Sequence, residues 1–304
     1  MKVTNHHSIP SVFENFRKVE AYDSGGADFT PSSLAQPAMI THLSSVFENK
    51  LTEDVSDQIM SILGTAIHSI LEKGCEPGDL VEQRYFSEIV GEDEKTYSIS
   101  GCVDRIFMNG MMSDDDTPLF TMQDYKSTSA STLIHNPQGK SDWVAQLSVY
   151  NWLCHYNGIE VAQAEVVAIV RDFVKSQARY KKEYPKAAVV VIPIKVWSLE
   201  NTERYIRLRI AALTAKIPAP CTKDERWQSD PKYAVHKYVR GGSLAKRATK
   251  IFDDSYSAEA FILDEAILGE VQERPGKPNR CESWCPVSGW CEQYTKELEE
   301  EENI

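Results

Sequence analysis

The sequence predicts an α/β fold in which a mixed central sheet is flanked by helices. Three observations predict it. A strongly helical stretch precedes three strand-like runs, a second helix, two more strand-like runs and a third helix, an order that suits one sheet covered on its faces. The runs at residues 97–108 and 119–125 are rich in β-branched and aromatic residues and are separated by a tract of Gly, Asn and Asp, which reads as a hairpin. With 304 residues, 42% hydrophobic and 26% charged, the chain has the composition of a globular protein able to bury one sizeable core.

Residues 1–58 read as a helical lead-in with weak signals and no assigned chemistry. Residues 55–72 form a helix with apolar positions at Ile59, Ile62, Leu63, Ile67, Ile70 and Leu71 and a stop at Gly74. Gly64 and His68 lie one turn apart on it. An interior helical glycine costs roughly 1 kcal/mol against alanine and marks a place where another backbone comes close. Residues 80–90 read as a strand carrying Glu82 and Glu88, the latter facing water. After the hairpin, a polar linker leads to a helix over 143–157, closed by Gly158, which places Gln146 and Tyr150 on one face. Runs at 161–170 and 187–197 complete the sheet, and a helix over 200–217 stops at Pro218 and Pro220. The chain thus divides into a lead-in (1–58), a core (59–200) and a basic, aromatic and Cys-containing C-terminal helical region (201–304).

Net charge is −12, which taken alone argues against a nucleic-acid partner. Its distribution argues the other way. Residues 171–250 hold 19 Lys plus Arg against 7 Asp plus Glu, and the rest of the chain holds 14 against 38. A basic segment on an acidic body is what a phosphate-binding surface needs, and the loop at 171–186 beside the sheet would track a nucleic-acid backbone. No apolar run approaches a membrane span and residues 1–16 lack a signal-peptide core, so the expectation is a cytoplasmic protein with no membrane partner, in a bacterium or a phage-infected host.

The hairpin concentrates the chemistry. Asp104 lies in its first strand, and Asp124 and Lys126 lie two apart in its second, where alternation points both side chains to one face. Carboxylates suit Mg²⁺ or Mn²⁺, and a neighbouring lysine can orient water and stabilise charge building on a phosphorus centre. An isolated D-x-K is also what a solvated ion pair on a strand edge looks like.

The series Gly64-x-x-x-His68, Gly101-x-x-Asp104, Asp124-Tyr125-Lys126 and Gln146-x-x-x-Tyr150 resembles the motif set of the RecB-type branch of the PD-(D/E)XK nuclease superfamily, which includes CRISPR-associated adaptation nucleases and phage exonucleases. The resemblance covers residues 64–150. It implies a restriction-endonuclease-like core and cleavage of DNA with Mg²⁺ or Mn²⁺, as an exonuclease in replication, recombination or repair. It makes His68, Asp104, Asp124 and the Tyr125 carbonyl metal ligands and Lys126 the catalytic lysine. Glu82 matches the early acidic position, and Gln146 and Tyr150 become a helix motif that contacts DNA or supports the site. The alternatives are a binding subunit that keeps the fold without cleaving, and a nuclease acting on RNA.

Seven cysteines, three of them crowded at Cys281, Cys285 and Cys291, fit metal or cluster ligation better than a disulfide framework. Cys221, just past a Pro-rich stop, is the expected fourth ligand and Cys75 the second choice; Cys102 and Cys154 read as core thiols. The expected group is a 4Fe–4S cluster, with zinc as the alternative. Relatives with clusters place one cysteine before the nuclease core, whereas this chain has none before Gly64. Between Cys221 and Cys281, Arg226, Trp227, Lys237 and Arg240 interleave cations with aromatics, a pattern that holds single-stranded DNA or single-stranded ends.

Overall fold

The computed structural model describes residues 2–19 and 24–302; Met1, residues 20–23 of the lead-in and the last two residues of the acidic tail lie outside them. The chain opens with β1 (Lys2–Thr4), α1 (Ser11–Val19), α2 (Pro31–Ala35), α3 (Ala38–Val46), β2 (Thr52–Asp54) and α4 (Ile59–Glu72). Strands β3 (Leu80–Val90), β4 (Thr96–Met112) and β5 (Pro118–Thr128) follow. Next come α5 (Ala130–His135), α6 (Ser141–Tyr156), β6 (Val161–Val170), α7 (Lys175–Tyr180), β7 (Val189–Ile194) and α8 (Leu199–Thr214). The last elements are β8 (Lys232–Lys237), β9 (Lys250–Phe252), α9 (Ser255–Asp264), β10 (Gly269–Arg274), α10 (Asn279–Ser283) and α11 (Glu292–Glu302). The chain divides into one unit of Met1–Ala38 with Glu48–Pro218 and another of Met39–Phe47 with Ala219–Ile304.

In the first unit, five strands form one mixed sheet in the order β3-β4-β5-β6-β7. The β5–β6 pair is parallel and its neighbours are antiparallel. A parallel step needs a crossover, and α5 with α6 provides it. Helix α6 buries Leu147, Trp152 and Leu153 in a core shared with Val166, Ala168, Ile192 and Ile194. Each such side chain contributes roughly 1.5–3 kcal/mol of burial. Helices α2 and α8 pack on α6 in turn, which is why the unit extends to Pro218 and not to residue 200 as the sequence suggests. The helix expected to reach 217 ends at Thr214.

Two glycines behave differently. A Cβ on Gly101 would lie 2.7 Å from the Tyr150 ring and 2.8 Å from Leu153, so the absence of a side chain is what lets α6 settle onto β4. Gly64 corrects the expectation of a close backbone: nothing lies within 4 Å of its Cβ position.

The β3–β4 ladder breaks at one place. Val81 pairs with Arg105 and Gln83 with Val103, but Glu82 and Asp104 between them do not pair. Glu82 has φ +48°, a left-handed conformation that costs a non-glycine residue about 1–2 kcal/mol. Ile99, Val103 and Ile106 all reach the core, so the alternation of β4 changes phase across Asp104. Pairing between β4 and β5 also stops at Arg105 opposite Gln123, while β5 continues to Thr128 against β6 alone. The two strands therefore part at the point where the acidic residues stand.

The second unit corrects the expectation of a purely helical region. Strands β10-β8-β9 form an antiparallel sheet, and α9 packs on it around the buried Ala234, Val235 and Ala258. We predict opposite outcomes for the two glycines on urea unfolding. Gly101→Val should destabilise by about 1–3 kcal/mol through overpacking, whereas Gly64→Ala should stabilise by up to about 1 kcal/mol.

Candidate metal centre

Helix α4 packs against β4 and β5 and delivers His68 into the gap where those strands separate. His68 Nδ1 lies 3.3 Å from Asp104 Oδ1 and 3.7 Å from Glu82 Oε1, and its Nε2 lies 3.1 Å from the Tyr125 carbonyl oxygen. One ligand atom from each of His68, Glu82 and Asp104 falls within 4.8 Å of the others. Because β5 has left β4, the Tyr125 N–H has no strand partner on that side, and it donates instead to Asp104 Oδ2 at 2.6 Å. The left-handed turn of Glu82 and the broken ladder are thus what aim these groups at one another. Gly64, Thr65, His68, Ser69, Glu72 and Glu82 line an open cleft of about 480 Å³ leading to the imidazole, so the bare Gly64 keeps the approach clear.

Asp124 and Lys126 share a face, as their spacing predicts. The Lys126 ammonium is 3.0 Å from Oδ1 and 2.7 Å from Oδ2 of Asp124. Asp104 contacts His68 and Asp124 contacts Lys126, and Asp104 is near enough to act electrostatically on both Asp124 and Lys126. Burial pushes the Asp124 carboxyl up to about 6 against the pull of the lysine, and Asp104 adds to the rise. Burial works against the charge of Lys126, but Asp124 beside it outweighs this and raises the ammonium. Asp124 Oδ2 is buried, and the Lys126 ammonium is the cation that faces it.

Hydrogen bonding to Asp104 and then Glu82 raises His68 to about 10, overriding partial burial. The same contact with His68 lowers Glu82. The imidazolium therefore supplies the positive charge that this acidic pocket requires. A neutral imidazole, two carboxylates and a carbonyl form a mixed N/O donor set fitting Mn²⁺ or Mg²⁺.

The remaining predicted residues separate. Gln146 donates to the Tyr150 hydroxyl at 3.2 Å, and Tyr150 is buried against Gly101, so this pair braces β4. Cys102, read from the sequence as a core thiol, is only half-buried and donates to Glu82 Oε2 at 3.4 Å. Asp142, in the first turn of α6, adds to the charge holding Lys126 protonated. Neither of these contacts was signalled by a motif. In the second unit Lys237 and Arg240 are exposed, and Trp227, 45% exposed, lies under the Arg280 guanidinium at 4.9 Å. Arg226 corrects its assignment to DNA. It is 6% exposed and donates from both terminal nitrogens to Glu297, through Nη1 at 2.7 Å and through a short Nη2 contact.

Cys221, Cys281, Cys285 and Cys291 line one cavity of the second unit. Burial pushes the Cys221 thiol up to about 12, with the other three thiols adding to the rise. Arg226 interacts with Cys281, placing a buried cation beside them. A tetrahedral zinc with Zn–S of about 2.3 Å would hold its sulfurs about 3.8 Å apart. Such an ion, or an iron–sulfur cluster, is what four cysteines lining one cavity can hold. Cys75 belongs to the other unit, and its thiol donates to the Leu71 carbonyl at 3.5 Å.

No family model and no curated protein matches the chain. Among solved structures it is similar to one described as the crystal structure of SSO0001, at 16% sequence identity over 68% of this chain and 85% of that one, with a TM-score of 0.43. No helix among the described residues is long and apolar enough to cross a membrane.

The His68 contacts predict a pH signature for the metal-free fold. A folded pKa raised from 6.5 to about 10 gives stabilisation that is complete below 6.5 and lost as pH rises toward 10. In chelator, the urea midpoint should fall from pH 6 to pH 9, and the fall should be smaller in His68→Asn. An equal fall in both proteins would remove His68 from this role.

Proposed function

We propose that this chain is a metal-dependent deoxyribonuclease with a restriction-endonuclease-like core of the RecB-type PD-(D/E)XK kind, hydrolysing phosphodiester bonds as an exonuclease in DNA replication, recombination or repair. One observation carries the reading: His68, Glu82 and Asp104 gather their ligand atoms within 4.8 Å beside the Tyr125 carbonyl, while a lysine stands 2.7 Å from a buried aspartate on the neighbouring strand. His68 lies on a helix, Asp104 and Asp124 on adjacent strands and Gln146 on the next long helix, an order that supports this reading.

His68, Glu82, Asp104 and the Tyr125 carbonyl would hold Mg²⁺ or Mn²⁺, with Asp124 Oδ2 offering a further oxygen. When bound, the ion polarises a phosphoryl oxygen and makes water a better nucleophile at neutral pH. Lys126 orients the attacking water and meets the negative charge that grows on the phosphorus centre. Asp124 fixes the position of the Lys126 ammonium and keeps it protonated. Before an ion binds, the carboxylates of Asp104 and Glu82 face His68 Nδ1 while its Nε2 rests on the Tyr125 carbonyl, which sets the direction of the ring. Tyr150 and Gln146 hold β4 in place behind the site. The substrate is DNA that is single-stranded or has single-stranded ends.

Cys221, Cys281, Cys285 and Cys291 would hold a 4Fe–4S cluster that ties the two ends of the second unit together. Iron and acid-labile sulfide should be found in protein purified without oxygen, with absorbance near about 400 nm; Cys281→Ser should lose both. Zinc without iron in the parent would replace this assignment.

The activity is tested with end-labelled single- and double-stranded DNA in Mg²⁺ or Mn²⁺. Lys126→Ala should cut at least about 10²-fold more slowly than the parent while keeping its fold by circular dichroism. Equal rates in both would discard the site.

A further inference from the structure

The connection between β6 and β7, residues 171–188, is a loop that includes α7, and its six cations, Arg171, Lys175, Arg179, Lys181, Lys182 and Lys186, are all exposed. It is tied from inside. Tyr184 is buried, its hydroxyl accepts the Val174 N–H at 2.9 Å and donates to the Asp172 carbonyl at 3.1 Å, and its ring packs on Phe173. Lys186 Nζ donates to the carbonyls of Ala178 and Lys181 at 3.2 and 2.8 Å, closing the end of α7. Asp172 accepts the Ala130 N–H at 2.7 Å, which fastens the loop to α5.

So held, the loop presents Tyr180 with 85% of its surface exposed, flanked by Arg179, Lys181 and Lys182. Arg179 and Lys182 make no ion pair among the described residues, and Lys181 bonds only the neutral Gln177 side chain. Unpaired cations repel one another, and an exposed phenol ring gains nothing from water, so the loop's own packing does not account for what it displays. Its position does. Strands β5 and β6 run parallel, with Lys126 opposite Ala168 and Thr128 opposite Val170. The loop therefore leaves the sheet at the end where Lys126 stands, and the Arg171 N–H donates to the Thr128 carbonyl at 2.9 Å.

We propose that this loop is a grip for unpaired nucleic acid entering the site, with Arg179, Lys181 and Lys182 on successive phosphates and a base stacked on Tyr180; the proposal rests on the nuclease reading. Cations alone would hold single strands and duplexes alike. An exposed aromatic face discriminates, because it can stack only on a base that its neighbours have released. Ordering the loop in advance, through Tyr184 and Lys186, lowers the entropy lost on binding.

The test is fluorescence anisotropy with the full chain in chelator, using a labelled thymidine oligonucleotide and a blunt duplex of the same length. Tyr180→Ala should weaken single-strand binding about tenfold and leave duplex binding unchanged, with Tyr180→Trp restoring affinity. Replacing Arg179, Lys181 and Lys182 together by Ala should lower the slope of log affinity against log salt by about 2. If Tyr180→Ala binds the oligonucleotide as the parent does, or loses both substrates equally, the grip is overturned; the nuclease reading then still stands provided the parent cleaves and Lys126→Ala does not. A parent that binds neither probe and cleaves neither overturns both.

Discussion

The break in the antiparallel ladder at Glu82 and Asp104 is the constraint on which the rest of the site depends. A regular ladder would leave both residues paired through their backbones and would keep β4 and β5 together past Gln123. Instead the strands separate, the Tyr125 amide and carbonyl lose a neighbour, and both find partners at the centre: the amide in Asp104, the carbonyl in His68. Buried or half-buried carboxylates so close together are unfavourable without a cation. In the metal-free protein the protonated His68 and the Lys126 ammonium serve as that cation, one for each aspartate. Of the three carboxylates at the site, both aspartates thus have a partner cation before any ion arrives, and Glu82 shares His68 with Asp104.

Much of this was legible in the sequence because it depends on periodicity. Strand β6 and the first of the sheet strands have the bounds their apolar runs predict, and the two-residue spacing of Asp124 and Lys126 led to one shared face and a direct ion pair. The central position of Glu82 was not legible in this way. Nothing in a strand pattern announces a left-handed glutamate, since the conformation is imposed by the surrounding sheet and runs against the residue's own preference. Gly64 misled for a related reason: a glycine needed for open space and one needed for close packing look alike as letters, and only Gly101 proved to be the second kind.

The C-terminal unit shows the limits of composition. Arg226 reads as one cation in a basic, aromatic segment, yet it is buried against Glu297, 71 positions on. Contacts at that range are invisible to a local window. Gln293 likewise accepts from and donates to the backbone of Cys221, so α11 and the Cys221 segment are joined by polar contacts as well as by a shared cavity. Closing so long a loop costs entropy that grows only slowly with length, and a bound cluster would add to contacts that already hold the ends together.

The left-handed Glu82 also bears on how such a chain can change over generations. Asparagine or glycine at that position would relax the backbone, and either would remove the carboxylate from the pocket. Substitution there sets relief of the backbone against loss of the contacts that Glu82 makes with His68 and Cys102. A glutamate held in this conformation is thus a residue whose side-chain contacts and backbone preference pull in opposite directions.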